Sequence, residues 1–187
     1  MKRRQFIKKT SLTSAGLAIG ASLTNCINSD KKNIPESMGI TAENTTSLPL
    51  VIATWNVKNA TSAAMEVLKK GGTALDAVEQ GCKIEEANEK GQSVGKGGLP
   101  DRDGHVTLDA CIMNQKGDCG AVVYLKDIKH AVSVARKVME DTPHVMLAGD
   151  GAKQFAISSG FQPEDLLTAA SKKAWEDWKV QSEYKPI

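Results

Sequence analysis

From Pro49 onward the chain switches between two hydrophobic spacings, and the switches divide it into elements. Leu50-Val51-Ile52-Ala53 is a short unbroken apolar run, which predicts a buried strand leading into Thr54-Trp55-Asn56. Ala60, Ala63, Ala64, Val67 and Leu68 then recur at helical spacing, so a helix is expected, capped by Asn59 or Thr61 and ended by Gly71-Gly72 after Lys69-Lys70. A second helix begins near Thr73 or Ala74. Its inner face is Leu75, Val78, Cys82 and Ile84, its wet face Glu85, Glu86 and Glu89, and Gly91 stops it.

The next stretch, Ser93 to Pro100, is dense in glycine and runs into alternating residues. Val106, Leu108, Ala110 and Ile112 fall on one side, Thr107, Asp109, Cys111 and Met113 on the other. Gly120 to Leu125 is the natural partner strand across the turn Asn114-Gln115-Lys116-Gly117-Asp118, the strongest hairpin signal in the chain. The period then returns to helical: Ile128, Ala131, Val132, Ala135, Val138 and Met139 form a stripe that Asp141-Thr142-Pro143 ends. Val145 to Ala148 reads as a short strand, Gly149-Asp150-Gly151 as a sharp turn, and Ala152 to Ser158 as a short helix. Thr168 caps a last helix whose apolar positions are Ala169 or Ala170, Ala174, Trp175 and Trp178, followed by a loop-like Lys185-Pro186-Ile187. The pattern is that of a layered α/β unit.

Composition changes the picture mainly at the N-terminus. Residues 1–26 have a basic front (Lys2, Arg3, Arg4, Lys8, Lys9) and a mildly apolar run from Leu12 to Leu23, too short and too weak for a membrane-spanning helix. This is the pattern of an export signal, and Arg3-Arg4 followed by Gln5-Phe6-Ile7-Lys8 resembles the twin-arginine type, so a periplasmic, exported product is expected. Leu23-Thr24-Asn25-Cys26 fits a lipoprotein cleavage site with Cys26 as the lipid-bearing residue, although Asn25 is bulkier than usual there; otherwise Cys26 leaves with the signal. Residues 27–48 are polar and read as a disordered linker, leaving 49–187 as the folded region. The five basic residues before Cys26 exceed the whole chain's net charge of +2, so the remainder stands at −3 and gives no reason to expect nucleic acid as a partner.

Candidate chemistry is sparse. Gly95-Lys96-Gly97-Gly98 invites comparison with a phosphate-binding loop, but no lysine–serine ending is present and Pro100 follows where a helix should start, so a structural turn beside a site is the better reading. Beyond Cys26 the cysteines are Cys82, Cys111 and Cys119. The last two flank the hairpin turn, and two alternatives stay open: a disulfide if the register puts both on one face, or separation if it shifts by one residue. No metal-ligand spacing stands out among these cysteines with His105, His130 and His144, and neither a metal nor a cofactor is expected. Asp109 is suited to orienting backbone groups or a substrate amine, or is simply solvated. His144 has the chemistry of a general base but no nearby nucleophile, which favours a hydrogen-bonded structural role. Nucleophile elbow, paired carboxylates and dinucleotide fingerprint are all missing, so the sequence assigns no catalytic residue.

Several blocks, in order, carry a resemblance: VIATWN, GGTALDAVEQGCKIEE (Gly71 to Glu86), SVGKGGLPDRDG with VTLDACIM, and AVSVARKVMEDTPHVMLAG (Ala131 to Gly149). Together they resemble glycosylasparaginase, the N4-(β-N-acetylglucosaminyl)-L-asparaginase family of N-terminal-nucleophile hydrolases, from about Leu50 to the end of the chain. The resemblance implies a four-layer αββα fold made as a single precursor. That precursor cuts itself before a threonine, which becomes the N-terminus of a β chain and attacks the substrate amide with its own α-amine as general base. It also implies that Trp55, and with it Asn56, lines the substrate pocket, that the Gly97–Pro100 passage is scaffold near the site, and that an aromatic stands where this chain has Lys96.

The sequence matches the α chain of such an enzyme. The implied His-Asp-Thr cleavage motif falls shortly beyond Ile187, and no residue in the chain corresponds to it. Two expectations follow. In one, the chain is the α part of an amidohydrolase that cleaves the N-acetylglucosamine–asparagine amide with a threonine from a β-chain partner, as a heterodimer or a dimer of heterodimers. In the other it is a non-catalytic exported binding or structural remnant of that fold.

Overall fold

The computed structural model describes residues 49–182. The expected export signal at 1–26, Cys26, the expected linker at 27–48 and the terminal Lys185-Pro186-Ile187 lie outside the described residues. Five helices and three strands follow in the order α1 (Lys58–Lys69), α2 (Ala74–Glu86), β1 (Thr107–Met113), β2 (Cys119–Lys126), α3 (Ala131–Asp141), β3 (Met146–Ala148), α4 (Gly149–Ser158) and α5 (Ala169–Gln181).

The strands form one mixed sheet in the order β1-β2-β3, with β1–β2 antiparallel and β2–β3 parallel. The hairpin falls where the alternation places it. Its turn is closed by Asn114, whose amide donates to the Asp118 carbonyl at 3.0 Å and whose Oδ1 accepts from the amides of Lys116 and Asp118. Register is continuous except at one point: Leu108 faces Leu125 but Ala110 faces Val122, so β2 carries one extra residue opposite Asp109. Tyr124 sits in that bulge with φ +55, and Asp109 Oδ1 accepts its amide proton at 2.7 Å. Asp109 is therefore a backbone-orienting residue, one of the alternatives its position offered, and it restores a ladder bond that the bulge removes.

The two faces of the sheet differ. Leu108 and Ile112 of β1 and Val122 and Leu125 of β2 join Val134, Ala135 and Val138 of α3 and Ala152 and Ala156 of α4 in one buried core. At Gly120 the α3 backbone comes so close that a Cβ would lie 2.1 Å from the Ala135 carbonyl, so only glycine allows this helix to rest directly on β2. The opposite face carries the row Cys111–Ala121–Met146, with Met113 and Tyr124 nearby; Met113, Tyr124 and Met146 are exposed. Cys111 faces Ala121 and Cys119 faces Met113, so these thiols lie diagonally on one face, and the three described cysteines are all free thiols.

The helices form a row. α4 packs on β2 and β3, α3 on β1 and β2, α2 on α3 with a few contacts to β1, and α1 on α2. α2 starts with a reciprocal capping box: Asp76 N–H donates to Thr73 Oγ1, and the Asp76 carboxylate accepts from the Thr73 amide. α1 starts earlier than expected, at Lys58 after Val57, with no side-chain cap. Asn59 and Thr61 lie inside the helix, and the Thr61 hydroxyl turns back to the Lys58 carbonyl at 3.1 Å. β3 passes straight into α4 at Gly149 with no intervening turn, where Gly149-Asp150-Gly151 was expected to make one.

Two further expectations are corrected. Leu50–Ala53 is neither a strand nor buried: Leu50 is 75% and Ile52 80% exposed, and no strand among the described residues pairs with them. In α2 the buried residues are Ala77, Gly81 and Glu86, while Val78 and Cys82 are exposed. Small residues win that interface because α1 approaches closely; a Cβ on Gly81 would meet the Ala60 carbonyl at 3.0 Å. In α5 it is Ser171, not Ala169 or Ala170, that is buried, and its hydroxyl donates to the Gly97 carbonyl.

Candidate functional site

A groove of about 690 Å³ runs between the Leu50–Ala53 segment, the helix pair α1–α2, the loop around Val94 and the β1 strand. Its walls are mainly apolar, contributed by Ala60, Ala64 and Leu68 from α1 and by Ala77, Val78 and Cys82 from α2. Trp55 stands on its wall, 69% exposed, just after the extended segment, and the Trp55 carbonyl accepts the Val57 amide at 2.9 Å in the bend that leads into α1. Asn56 is exposed beside it but is not among the lining residues.

The polar groups on the groove walls are mostly committed to structure. Glu86, expected on the wet face of α2, is 6% exposed. Its Oε1 accepts the Val132 amide at 2.8 Å, and its Oε2 lies 3.2 Å from His130 Nδ1. α3 begins after His130 with no side-chain cap of its own, so the carboxylate from α2 supplies the missing acceptor at the positive end of that helix. A helix start without Ser, Thr, Asp or Asn is the signal that could have pointed to a distant cap. Asp109 is engaged with the bulge. Cys82 is exposed to the groove, yet partial desolvation by its neighbours pushes its thiol up, and Glu86, Cys111 and Glu79 push it further, so it is a poor nucleophile as it stands.

The glycine-rich loop is scaffold. Gly95 has φ +61, and a Cβ there would lie 2.0 Å from the Glu86 carbonyl, which accepts the Lys96 amide at 2.8 Å. The Gly97 amide donates to Leu166 and its carbonyl accepts from Ser171, so the loop ties the end of α2 to the start of α5. With its amides used this way, no nest of N–H groups is left to hold phosphate. Lys96 does not line the groove; it reaches Glu89 at 2.9 Å and Glu164 at 3.4 Å, while Lys129 holds Glu164 at 2.9 Å.

A second charged cluster binds α2 to α3. Arg136 Nη1 reaches Asp76 and Glu79 at 2.7 Å each, its Nε reaches Glu140 at 2.8 Å, and the Ser133 hydroxyl donates to Glu79 at 2.5 Å. The Thr73 hydroxyl, first, and Arg136 hold the Asp76 carboxyl down to about 2. His144 is exposed with its backbone amide on the Thr142 hydroxyl, and it does not line the groove. Of the α5 indoles, Trp175 serves packing: it covers Gly104 and donates to the Arg102 carbonyl at 3.2 Å, with Lys179 over its ring, while Trp178 is exposed. Among the described residues no group of three or more His, Cys, Asp and Glu side chains could hold a metal ion.

The groove thus offers an aromatic wall and apolar faces, with Thr61, Ser93 and Thr107 as its hydroxyls and no histidine or lysine among its lining residues. It can enclose a ligand or another piece of polypeptide, but the described residues do not assemble an acid, a base and a nucleophile there. Comparison with known proteins adds the context. The family described as Asparaginase matches residues 34–186. The N(4)-(β-N-acetylglucosaminyl)-L-asparaginase of Elizabethkingia miricola is 49% identical over 186 residues, covering 99% of this chain and 52% of that protein. The rat and mouse (Rattus norvegicus and Mus musculus) proteins of the same name are 53% and 52% identical over 132 residues, covering 70% of this chain and 38% of each of theirs. The chain spans about half the length, or less, of the curated relatives it matches.

Proposed function

Because this chain belongs to the N4-(β-N-acetylglucosaminyl)-L-asparaginase family of N-terminal-nucleophile hydrolases, we propose that it is the α-chain part of an amidohydrolase that cleaves the amide joining N-acetylglucosamine to asparagine. The observation that carries this reading is the match itself: nearly the whole chain aligns at 49% identity, yet to only 52% of the relative. In this reading the remaining part is a β chain whose N-terminal threonine is the nucleophile. Its hydroxyl adds to the amide carbonyl, its α-amine takes the proton and passes it to the departing amine as the C–N bond breaks, and water then hydrolyses the ester to release aspartate. An α-amine suits this role because it titrates near pH 8, about two units below a lysine, so about a tenth of it is an unprotonated base at pH 7, against less than about a thousandth of a lysine. Donors from the completed pocket would stabilise the oxyanion.

The chain's own contribution is the wall. Trp55 is already on the surface of the groove, free to meet a ligand, and Asn56 is exposed next to it in the chain, outside the lining. The helix-covered mixed sheet with one bare face is what half of a four-layer αββα sandwich presents, the second sheet and its helices coming from the other part. The basic, weakly apolar N-terminus supports export to the periplasm in this reading, with a lipid anchor if Cys26 is the processed residue. A heterodimer, or a dimer of heterodimers, is the corresponding assembly.

N-terminal sequencing and intact mass of the protein from its native host test the reading. A companion chain beginning with threonine, and aspartate released from N4-(β-N-acetylglucosaminyl)-L-asparagine by the pair, is the expected result. A sole product ending at Ile187, with no companion and no hydrolysis, would instead leave a non-catalytic remnant. In an active pair, Trp55→Ala should raise KM by about tenfold with a smaller change in kcat, as loss of one aromatic contact predicts.

A further inference from the structure

Between α2 and the glycine-rich passage the chain makes an exposed loop, residues 87–94, whose last two residues, Ser93 and Val94, line the groove. The loop closes at its neck. The Glu86 carbonyl accepts the Lys96 amide at 2.8 Å, and Gly97 passes so near Glu89 that a Cβ there would lie 2.5 Å from the Glu89 carbonyl. Inside the loop Asn88 makes the turn, its carbonyl accepting the Gly91 amide at 2.9 Å and its Oδ1 the Lys90 amide at 3.2 Å. The Lys96 side chain ties this loop to the body of the fold. Its ammonium lies 2.9 Å from Glu89 in the loop and 3.4 Å from Glu164, whose other oxygen is 2.9 Å from Lys129. Glu164 is itself fixed, its amide donating to the Asp127 carbonyl at 2.8 Å just beyond β2, and Lys129 stands just before α3.

An exposed ion pair alone would hold little. Here four charges alternate, Glu89–Lys96–Glu164–Lys129, and the side chains of Lys96, Glu164 and Lys129 are 30%, 32% and 29% exposed, so water screens them only in part. Glu89, first, and Glu164 push the Lys96 ammonium up, and Lys129, first, holds the Glu164 carboxyl below the ordinary carboxylate range, so both stay charged near neutrality. We propose that Lys96 is a positioning residue: through Glu89 it fastens the 87–94 loop to Glu164 and Lys129, and so holds Ser93 and Val94 in place on the groove wall. The inference rests on the amidohydrolase reading above and names a residue that serves its site without touching the substrate. Lys96 is not among the lining residues, so its loss removes no contact with a ligand. It frees the rim instead. A freed rim must be ordered when substrate binds, which weakens affinity but leaves a threonine nucleophile and its amine as they were.

The test assembles this chain with the part of the Elizabethkingia miricola relative that it does not match, and follows hydrolysis of N4-(β-N-acetylglucosaminyl)-L-asparagine. Lys96→Met, which keeps the stem and removes the charge, should raise KM by about fivefold with kcat within about twofold, and Lys96→Arg should keep KM within about twofold of wild type. Glu89→Gln should raise KM by a similar factor, and combining it with Lys96→Met should add no more than about 1.5-fold, as members of one network predict. Raising salt from about 0.05 M to about 1 M should at least halve the KM ratio between Lys96→Met and wild type, because screening takes from the wild type what the substitution removes outright. Trypsin gives a readout independent of activity: cleavage after Lys90, followed by mass, should be about tenfold faster in Lys96→Met and at the wild-type rate in Lys96→Arg. An unchanged KM in Lys96→Met, or cleavage after Lys90 indifferent to it, would overturn the positioning role and leave the amidohydrolase reading standing. If Lys96→Met does not assemble, Glu89→Gln decides by the same KM criterion. No hydrolysis by the wild-type pair would overturn both.

Discussion

Glu86 shows how much a single buried carboxylate can organise. It closes the N-terminal end of α3 from another helix, and the Lys96 amide binds its own carbonyl, so both polar ends of one residue hold neighbouring segments. Glu86→Ala should cost about 2 kcal/mol in urea unfolding, because the Val132 amide would be left buried and unpaired. Gly95→Ala should cost at least as much, about 2 kcal/mol or more, since a positive φ and a 2.0 Å clash with backbone leave a side chain no easy escape. Asp76 gives a pH signature. Its carboxyl, held at about 2 in the folded protein, sits below its unfolded value near 3.9, so its contribution is fully present above about pH 4 and is lost as pH falls towards 2. The carboxylate is 42% exposed, which limits the effect to below about 1 kcal/mol, and Asp76→Asn should flatten the acid limb of stability against pH by that amount. None of the three roles was equally visible in the sequence. The Thr73–Asp76 box is a local motif and legible once a helix start is placed at Thr73. Glu86 follows Glu85 on a helix whose period assigns both to solvent, and only the missing cap of α3 contradicts that assignment.

The β1–β2 hairpin was readable because its partners are neighbours: strict alternation, a turn rich in Asn, Gly and Asp, and a second alternating run. What alternation does not encode is the extra residue opposite Asp109. Nothing in GAVVYL marks Tyr124 for a positive φ, and the bulge is legible only from the pairing. Asp109→Ala should therefore destabilise the hairpin by about 1 kcal/mol, with Asp109→Asn costing less because an acceptor remains for the Tyr124 amide. Exchange of the Tyr124 amide should speed up in the alanine variant while Ala121 and Val122 are little changed. Leu50–Ala53 is the opposite case. Its composition is that of a strand and its surroundings in the described residues are not, since a strand is defined by partners and none is within its reach. The apolar stripe of α2 fails in the same way: Val78 and Cys82 face an open groove where the period promised a core.

For the molecule as a whole, the bare sheet face and the groove leave apolar surface that a finished domain would cover. The chain alone should bind a hydrophobic dye such as ANS, and that signal should fall when the completing part is added; an unchanged signal would mean that the exposed surface has no such cover. The layered α/β class was evident in the order of periods, and one mixed helix-covered sheet is what the described residues contain. The four-layer sandwich was an expectation from the resemblance alone, because strands of another polypeptide would leave no periodicity in this chain. The strand order β1-β2-β3 also has a temporal meaning. Chains emerge from the ribosome N-terminus first, and contacts between sequence neighbours form sooner than distant ones. The hairpin and α3 can settle within moments of their synthesis, whereas Leu50–Ala53, made before them, has no ladder partner among the described residues to settle against. The segment that leaves the ribosome early is thus still exposed when the later ones have folded, an apolar stretch of the kind a chaperone holds.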